Sequence, residues 1–139
     1  MTAIQHVMMI DDDDVNNFIG KRVLDKYNPQ TRLSQFGTAV DALNFLRQPE
    51  NQRSENLPSL IFLDLNMPLM SGWEFLTELE KLLGDRAKEP VIIVFSSSVF
   101  PEDVRKADNH PLVSAYKYKP ITLELVEEIQ GEFFSPSLS

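Results

Sequence analysis

Five short apolar runs punctuate the chain: His6–Ile10, Thr31–Phe36, Leu60–Leu63, Val91–Phe95 and Val113–Tyr118. Between them the apolar residues return with a helical period. Val15, Ile19, Val23 and Tyr27 recur every four residues, and Ala39, Ala42, Leu43 and Leu46 line one face of a second segment. Phe75, Leu79 and Leu82 do the same with Leu76 and Leu83, after a Ser71 and Glu74 pair that has the spacing of a capping box. Pro101 to Asp108 reads as a short, weakly patterned fourth helix, and Leu125, Val126, Ile129 and Phe133 mark a fifth. Runs and helices alternate as they do in βα units whose parallel sheet is covered on both faces. The prediction is an α/β domain with right-handed crossovers and a doubly wound five-stranded parallel sheet, in which sites form beyond the carboxyl ends of the strands.

No internal repeat interrupts this alternation. The loop-like stretches are Gln48 to Pro58 and the polar tail from Ser135, so one domain over residues 1–134 and a short tail over 135–139 are expected. At 139 residues with 42% hydrophobic content, the chain is long enough to bury its own core. None of its apolar runs approaches the roughly 20 residues of a spanning helix, so no membrane insertion is expected. Met1 to His6 lacks the basic and apolar segments of a secretory signal, and the absence of cysteine excludes disulfides. Both agree with a cytoplasmic location. A net charge of -8 argues against sequence-independent nucleic-acid binding, which needs clustered Lys and Arg.

One acidic cluster changes the picture. Asp11, Asp12, Asp13 and Asp14 follow the first run directly, and Asp64 follows the third. Crowded carboxylates raise one another's pKa and call for a cation, and an all-oxygen donor set points to a hard one such as Mg²⁺. Asp13 and Asp14 read as a solvated turn containing a helix N-cap. The fourth run ends in Ser96, Ser97 and Ser98, and the fifth in Lys119 and Pro120. A hydroxyl and an ammonium at that same edge can bind the oxygens of a phosphoryl group carried by Asp64. Singly, each has a surface or capping explanation; their joint placement at four strand ends gives them weight. His6 and His110 read as structural or exposed histidines.

From about His6 to Phe133 this pattern resembles the response-regulator receiver family. The acidic pair matches Asp11 and Asp12, the phosphoacceptor Asp64, the following Met-Pro and Gly Met67, Pro68 and Gly72, the hydroxyl residue Ser96, and the Lys-Pro pair Lys119 and Pro120. The resemblance implies a flavodoxin-like (βα)5 fold of strand order 2-1-3-4-5. It implies Mg²⁺ or Mn²⁺ held by Asp11, Asp12, Asp64 and the backbone carbonyl of Asn66, a cis Lys119–Pro120 bond, and a switch through Ser96 and Tyr116. The donor it implies is a histidine kinase or phosphotransfer protein. The output would be a downstream protein, or self-association, through the face of the fourth helix, fifth strand and fifth helix. With no output segment legible after Phe133, the expectation is a single-domain regulator that catalyses only its own phosphorylation and dephosphorylation.

Two departures stand out. Ser96 occupies a position where Thr is more usual, and Asn109, His110 and Pro111 replace a small Gly-Ala step, which predicts another shape for the loop after the fourth helix. A haloacid dehalogenase-type phosphohydrolase is the sharpest alternative, because Asp11-x-Asp13-x-Val15 fits its nucleophile motif. It leaves Asp64 without a task, and no acidic pair follows another strand after Lys119. An EF-hand starting at Asp12 lacks its Gly and has Val23 in the place of the closing Glu. A pseudo-receiver that binds its partner constitutively is the third reading, disfavoured because every family site residue is present.

Overall fold

The computed structural model describes residues 4–97 and 100–134; the start of the chain, Ser98 of the serine run and the predicted tail 135–139 lie outside the described residues. Strands β1 (His6–Ile10), β2 (Arg32–Phe36), β3 (Leu60–Leu63), β4 (Val91–Ser96) and β5 (Ala115–Tyr118) alternate with helices α1 (Asp14–Tyr27), α2 (Ala39–Arg47), α3 (Gly72–Leu83), α4 (Pro101–Asn109) and α5 (Leu123–Phe133). All pairings are parallel, in the order β2-β1-β3-β4-β5. This is the doubly wound architecture expected from the alternation, with the flavodoxin-like strand order implied by the resemblance. Among the described residues no helix is long and apolar enough to cross a membrane.

Strand residues alternate between the two faces, and this explains why the central runs are apolar throughout. Met8, Ile10, Ile61, Leu63 and Ile92 meet α2 and α3 through Leu43, Leu46, Phe75, Leu76 and Leu79. Val7, Met9, Leu60, Phe62, Ile93 and Phe95 meet α1 and α5 through Leu24, Val126 and Ile129. The edge strands are shorter than the sequence runs. Thr31 precedes β2, and Val113 and Ser114 form the entry to β5, where Ser114 N still donates to Ile92 O. Strand β4 gains Ser96, and α4 gains Asn109. Pro49–Gln52, inside the predicted loop, and Gly84–Lys88 are short 3₁₀ segments.

Helix α1 corrects the sequence reading. The row Val15, Ile19, Val23, Tyr27 was expected to face the core, yet Val15 is 67% exposed and the other three are only partly buried. The innermost row is Asn16, Gly20 and Leu24. Its chemistry explains the rotation: Asn16 has a polar partner inside, and at Gly20 an added Cβ would lie 2.6 Å from Met9 Cε. The helix turns this row inward in place of its most apolar one because a hydrogen bond and a close backbone approach are available there. Asp13 caps this helix, accepting from Val15 N at 3.0 Å and Asn16 N at 3.2 Å.

Candidate functional site

Three strand ends and the loops after them build the site. Asp11 and Asp64 follow β1 and β3, which are paired, so their side chains emerge side by side. The backbone there is fixed by Asp11 N donating to Phe36 O at 3.0 Å and Asp64 N donating to Ile10 O at 2.9 Å. The start of α3 presses on the same backbone. A Cβ at Gly72 would meet Asp64 O at 2.6 Å and Leu65 Cα at 3.0 Å, so only glycine allows this approach. Ser71 and Glu74 hold α3 in place with the capping box anticipated from their spacing, Ser71 N donating to Glu74 Oε1 at 2.9 Å and Glu74 N to Ser71 Oγ at 3.2 Å.

One carboxylate oxygen from each of Asp11, Asp12 and Asp64 lies within 4.8 Å of the other two. Asp11 and Asp64 are buried, whereas Asp12 is exposed. The half-buried Lys119 sends its ammonium between them, 2.7 Å from Asp11 Oδ2 and 3.7 Å from Asp64 Oδ2. Three carboxylates therefore face one ammonium. Burial is the main reason the Asp64 carboxyl is pushed up to about 6; Lys119 opposes the rise, Asp11 and Asp12 add to it, and the Asn66 N–H bond to Asp64 Oδ1 opposes it. A site made of carboxylates alone, with more negative charge than its lysine offsets, fits a hard divalent cation such as Mg²⁺ or Mn²⁺.

The remaining residues named from sequence fall around this centre. Ser96 is buried at the end of β4, and its carbonyl accepts from Lys119 N at 2.9 Å, tying the fourth and fifth strand ends together. The Lys119–Pro120 peptide is cis. Asn66 is exposed beside Asp64. Tyr116 is half-buried on β5, where it packs with Leu65, Val94, Ala107 and Trp73, and its ring meets that of Tyr118 edge-on at 5.4 Å. Asp13 and Asp14 belong to the start of α1 and not to the cluster. His6 is buried at the far end of β1, and His110 stacks on Trp73 at 6.1 Å in the loop after α4, with Leu112 N donating to its Nδ1 at 3.1 Å.

Two residues escaped the sequence reading. Asn16 Nδ2 donates to Asp11 Oδ2 at 2.8 Å, and Asn17 Nδ2 donates to the Asp11 carbonyl at 2.9 Å. The available signal was a pair of asparagines on the helix that leaves an acidic strand end.

With this geometry in place, likeness to other proteins can be weighed. The chain is 27% identical to a two-component response regulator from Cytophaga hutchinsonii, superposing with a TM-score of 0.83 over 93% of this chain and 96% of that one. In sequence it is 29% identical over 124 residues to the two-component response regulator ORR13 of Oryza sativa subsp. japonica, spanning 89% of this chain and 93% of the relative. The Mn(2+)-bound form of response regulator Rcp1, at 22% identity, shares the fold with a TM-score of 0.72 over 97% of both chains; Rcp1 is a protein of Synechocystis. Residues 7–128 match the family model of the response regulator receiver domain, and the chain belongs to that family.

Proposed function

We propose that this receiver domain accepts a phosphoryl group on Asp64 from a phosphohistidine of a kinase or phosphotransfer protein, and changes its protein contacts in response. The carrying observation is the position of Lys119, bound at 2.7 Å to Asp11 and only 3.7 Å from the free side of Asp64. In the transfer, an Asp64 carboxylate oxygen forms the new O–P bond while the N–P bond of the phosphohistidine breaks and its electron pair returns to the imidazole. Lys119 exchanges its carboxylate partner for the phosphoryl oxygens, and the Ser96 hydroxyl donates to another of them. A Mg²⁺ or Mn²⁺ ion held by Asp11, Asp12, Asp64 and the Asn66 carbonyl would supply charge neutralisation for the moving phosphoryl. The acidic cluster supports that assignment, as does the Mn(2+) in the Rcp1 structure.

The donor's docking surface is supported by where apolar side chains are exposed. Among the described residues the large exposed hydrophobics are Val15, Phe18, Leu69, Phe100, Tyr118 and Leu123. Tyr118 is the last residue of β5, and the others lie in the loops after the strands or the early turns of the helices, around the carboxyl edge that carries Asp64. Output runs through Ser96 and Tyr116 to the α4–β5–α5 face: as Ser96 is drawn to the phosphoryl oxygen, Tyr116 turns against the packing beneath it.

The test is incubation with acetyl phosphate and Mg²⁺ followed by intact mass measurement. The parent gains one phosphoryl group, and Asp64→Asn gains none. Stoichiometric phosphate on the variant, or no uptake by the parent, overturns the assignment.

A further inference from the structure

We propose that Asn16 is a positioning residue of the phosphoacceptor site, a neutral donor that holds Asp11 in place and lets Lys119 leave it. This rests on the reading of Asp64 as phosphoacceptor and Asp11 as cation ligand. Asp11 is gripped through each of its oxygens. Oδ1 accepts from Asp13 N at 2.9 Å, while Oδ2 is shared between Asn16 Nδ2 at 2.8 Å and Lys119 Nζ at 2.7 Å. Behind them Asn17 Nδ2 holds the Asp11 carbonyl, and Gln35 Nε2 from β2 holds the Asn17 carbonyl at 2.6 Å. Asn16 is itself only 4% exposed, with its backbone N–H on the Asp13 cap, so both ends of the residue are committed.

The chemistry of the site says why the donor is an amide. Without Asn16, movement of Lys119 toward a phosphoryl group on Asp64 would leave Asp11 Oδ2 a buried carboxylate oxygen stripped of its donor, and the carboxylate would rotate to find another. Asn16 stays, so Asp11 keeps its aim at the cation through the transfer. A lysine or arginine in that place would neutralise Asp11 permanently and weaken its hold on a cation. An aspartate would repel it. A neutral donor fixes geometry without cancelling the charge the site depends on, the part played by outer hydrogen bonds at metal centres in general.

Asn16→Leu keeps the size and removes the donor. Calorimetric Mg²⁺ titration of the folded variant is expected to show binding about tenfold weaker than the parent, the range for lost outer-shell bonds. Phosphorylation by acetyl phosphate at saturating Mg²⁺ slows as well. A purely structural asparagine would lower the melting temperature and leave the Mg²⁺ affinity of the folded protein alone, so a change in affinity below threefold overturns the proposal. If the variant does not fold, the parent still decides: by NMR the Asn16 side-chain amide should exchange slowly and shift on Mg²⁺ addition. Exchange as fast as the exposed Asn44 amide, or no shift, sinks it. If the parent neither binds Mg²⁺ nor gains phosphoryl mass, the underlying phosphoacceptor reading has failed instead.

Discussion

His6 and Asp64 stand at opposite ends of the two central strands, and both are buried, yet their surroundings differ in kind. At the amino end His6 is satisfied: its Nδ1 donates to Asn56 O at 2.9 Å and its Nε2 accepts from Ser34 Oγ at 2.8 Å, with Phe45 edge-on at 6.4 Å. Burial keeps it neutral by lowering its pKa. At the carboxyl end Asp64 shares its space with two further carboxylates and one lysine, and its burial pushes it toward protonation against the pull of Lys119. One end spends its polar groups on stability. The other keeps unbalanced charge, and the large exposed hydrophobics gather around it, as the proposed cation site and donor surface would require.

Substitutions that each touch one end should separate stability from function. The largest effect belongs to Gly72→Ala, whose methyl would press on the backbone of Asp64 and Leu65, atoms that cannot turn aside. Destabilisation of about 3 kcal/mol is expected, together with slowed phosphoryl uptake. Gly20→Ala is the control, since its contact is the flexible end of Met9. At the amino end, His6→Leu strands the Ser34 hydroxyl and the Asn56 carbonyl and should cost about 2 kcal/mol in urea unfolding. Phosphorylation of its folded fraction should match the parent. A His6 variant that folds well and phosphorylates poorly would break the division of labour between the two ends.

Acidity sharpens the contrast, because the two ends respond with opposite signs in one pH window. Unfolded, Asp64 ionises near 3.8; folded, near 6. Between those values the native state holds a proton the unfolded chain has released, so stability falls as pH rises from about 4 to 6 and stays lower above that. For His6 the native state resists a proton that the unfolded chain accepts below about 6.5, so stability is lost as pH falls through that value. In EDTA at pH 7, Asp64→Asn should therefore be more stable than the parent by ~2 kcal/mol, with the gain fading toward pH 4. Urea midpoints across that range check it. Equal or lower stability of Asp64→Asn at pH 7 would mean Asp64 is better compensated than its neighbours indicate.

How far the sequence reveals these two ends follows from the range of the interactions. Asp11, Asp64 and Lys119 are legible because a parallel sheet brings strand ends together wherever the runs are found, and that topology needs only periodicity. The amino end is not legible, since the partners of His6 are Ser34 and Asn56, on an edge strand and in a loop whose positions no period encodes. In α1 the period itself misleads. The most apolar row is Val15, Ile19, Val23 and Tyr27, but the row turned inward holds Asn16 and Gly20, chosen by a hydrogen bond and a close approach that exist only once Asp11 and Met9 are in place. Phe18 and Val15 are left outside by the same rotation, and their exposure is equally invisible before folding.

The smallest expected effect concerns Leu69, in the loop between Asp64 and α3. Its φ is 74°, a left-handed value that leucine rarely adopts, and Met70 N donates back to Pro68 O at 2.8 Å across it, closing a three-residue γ-turn of the less favourable hand. Its side chain is 86% exposed, so no burial within the domain offsets the strain. If Asp64 is the phosphoacceptor, as proposed, an exposed leucine in this loop is a candidate contact for the donor protein. Leu69→Gly relieves the backbone and adds freedom to the unfolded chain, two opposed effects of similar size, leaving stability within about 1 kcal/mol of the parent. Uptake from acetyl phosphate, which needs no docking surface, should be unchanged, while transfer from the protein donor should slow. If Leu69→Gly slows both alike, the turn serves the geometry of Asp64; if it slows neither, the apolar rim at this loop is not where the donor binds.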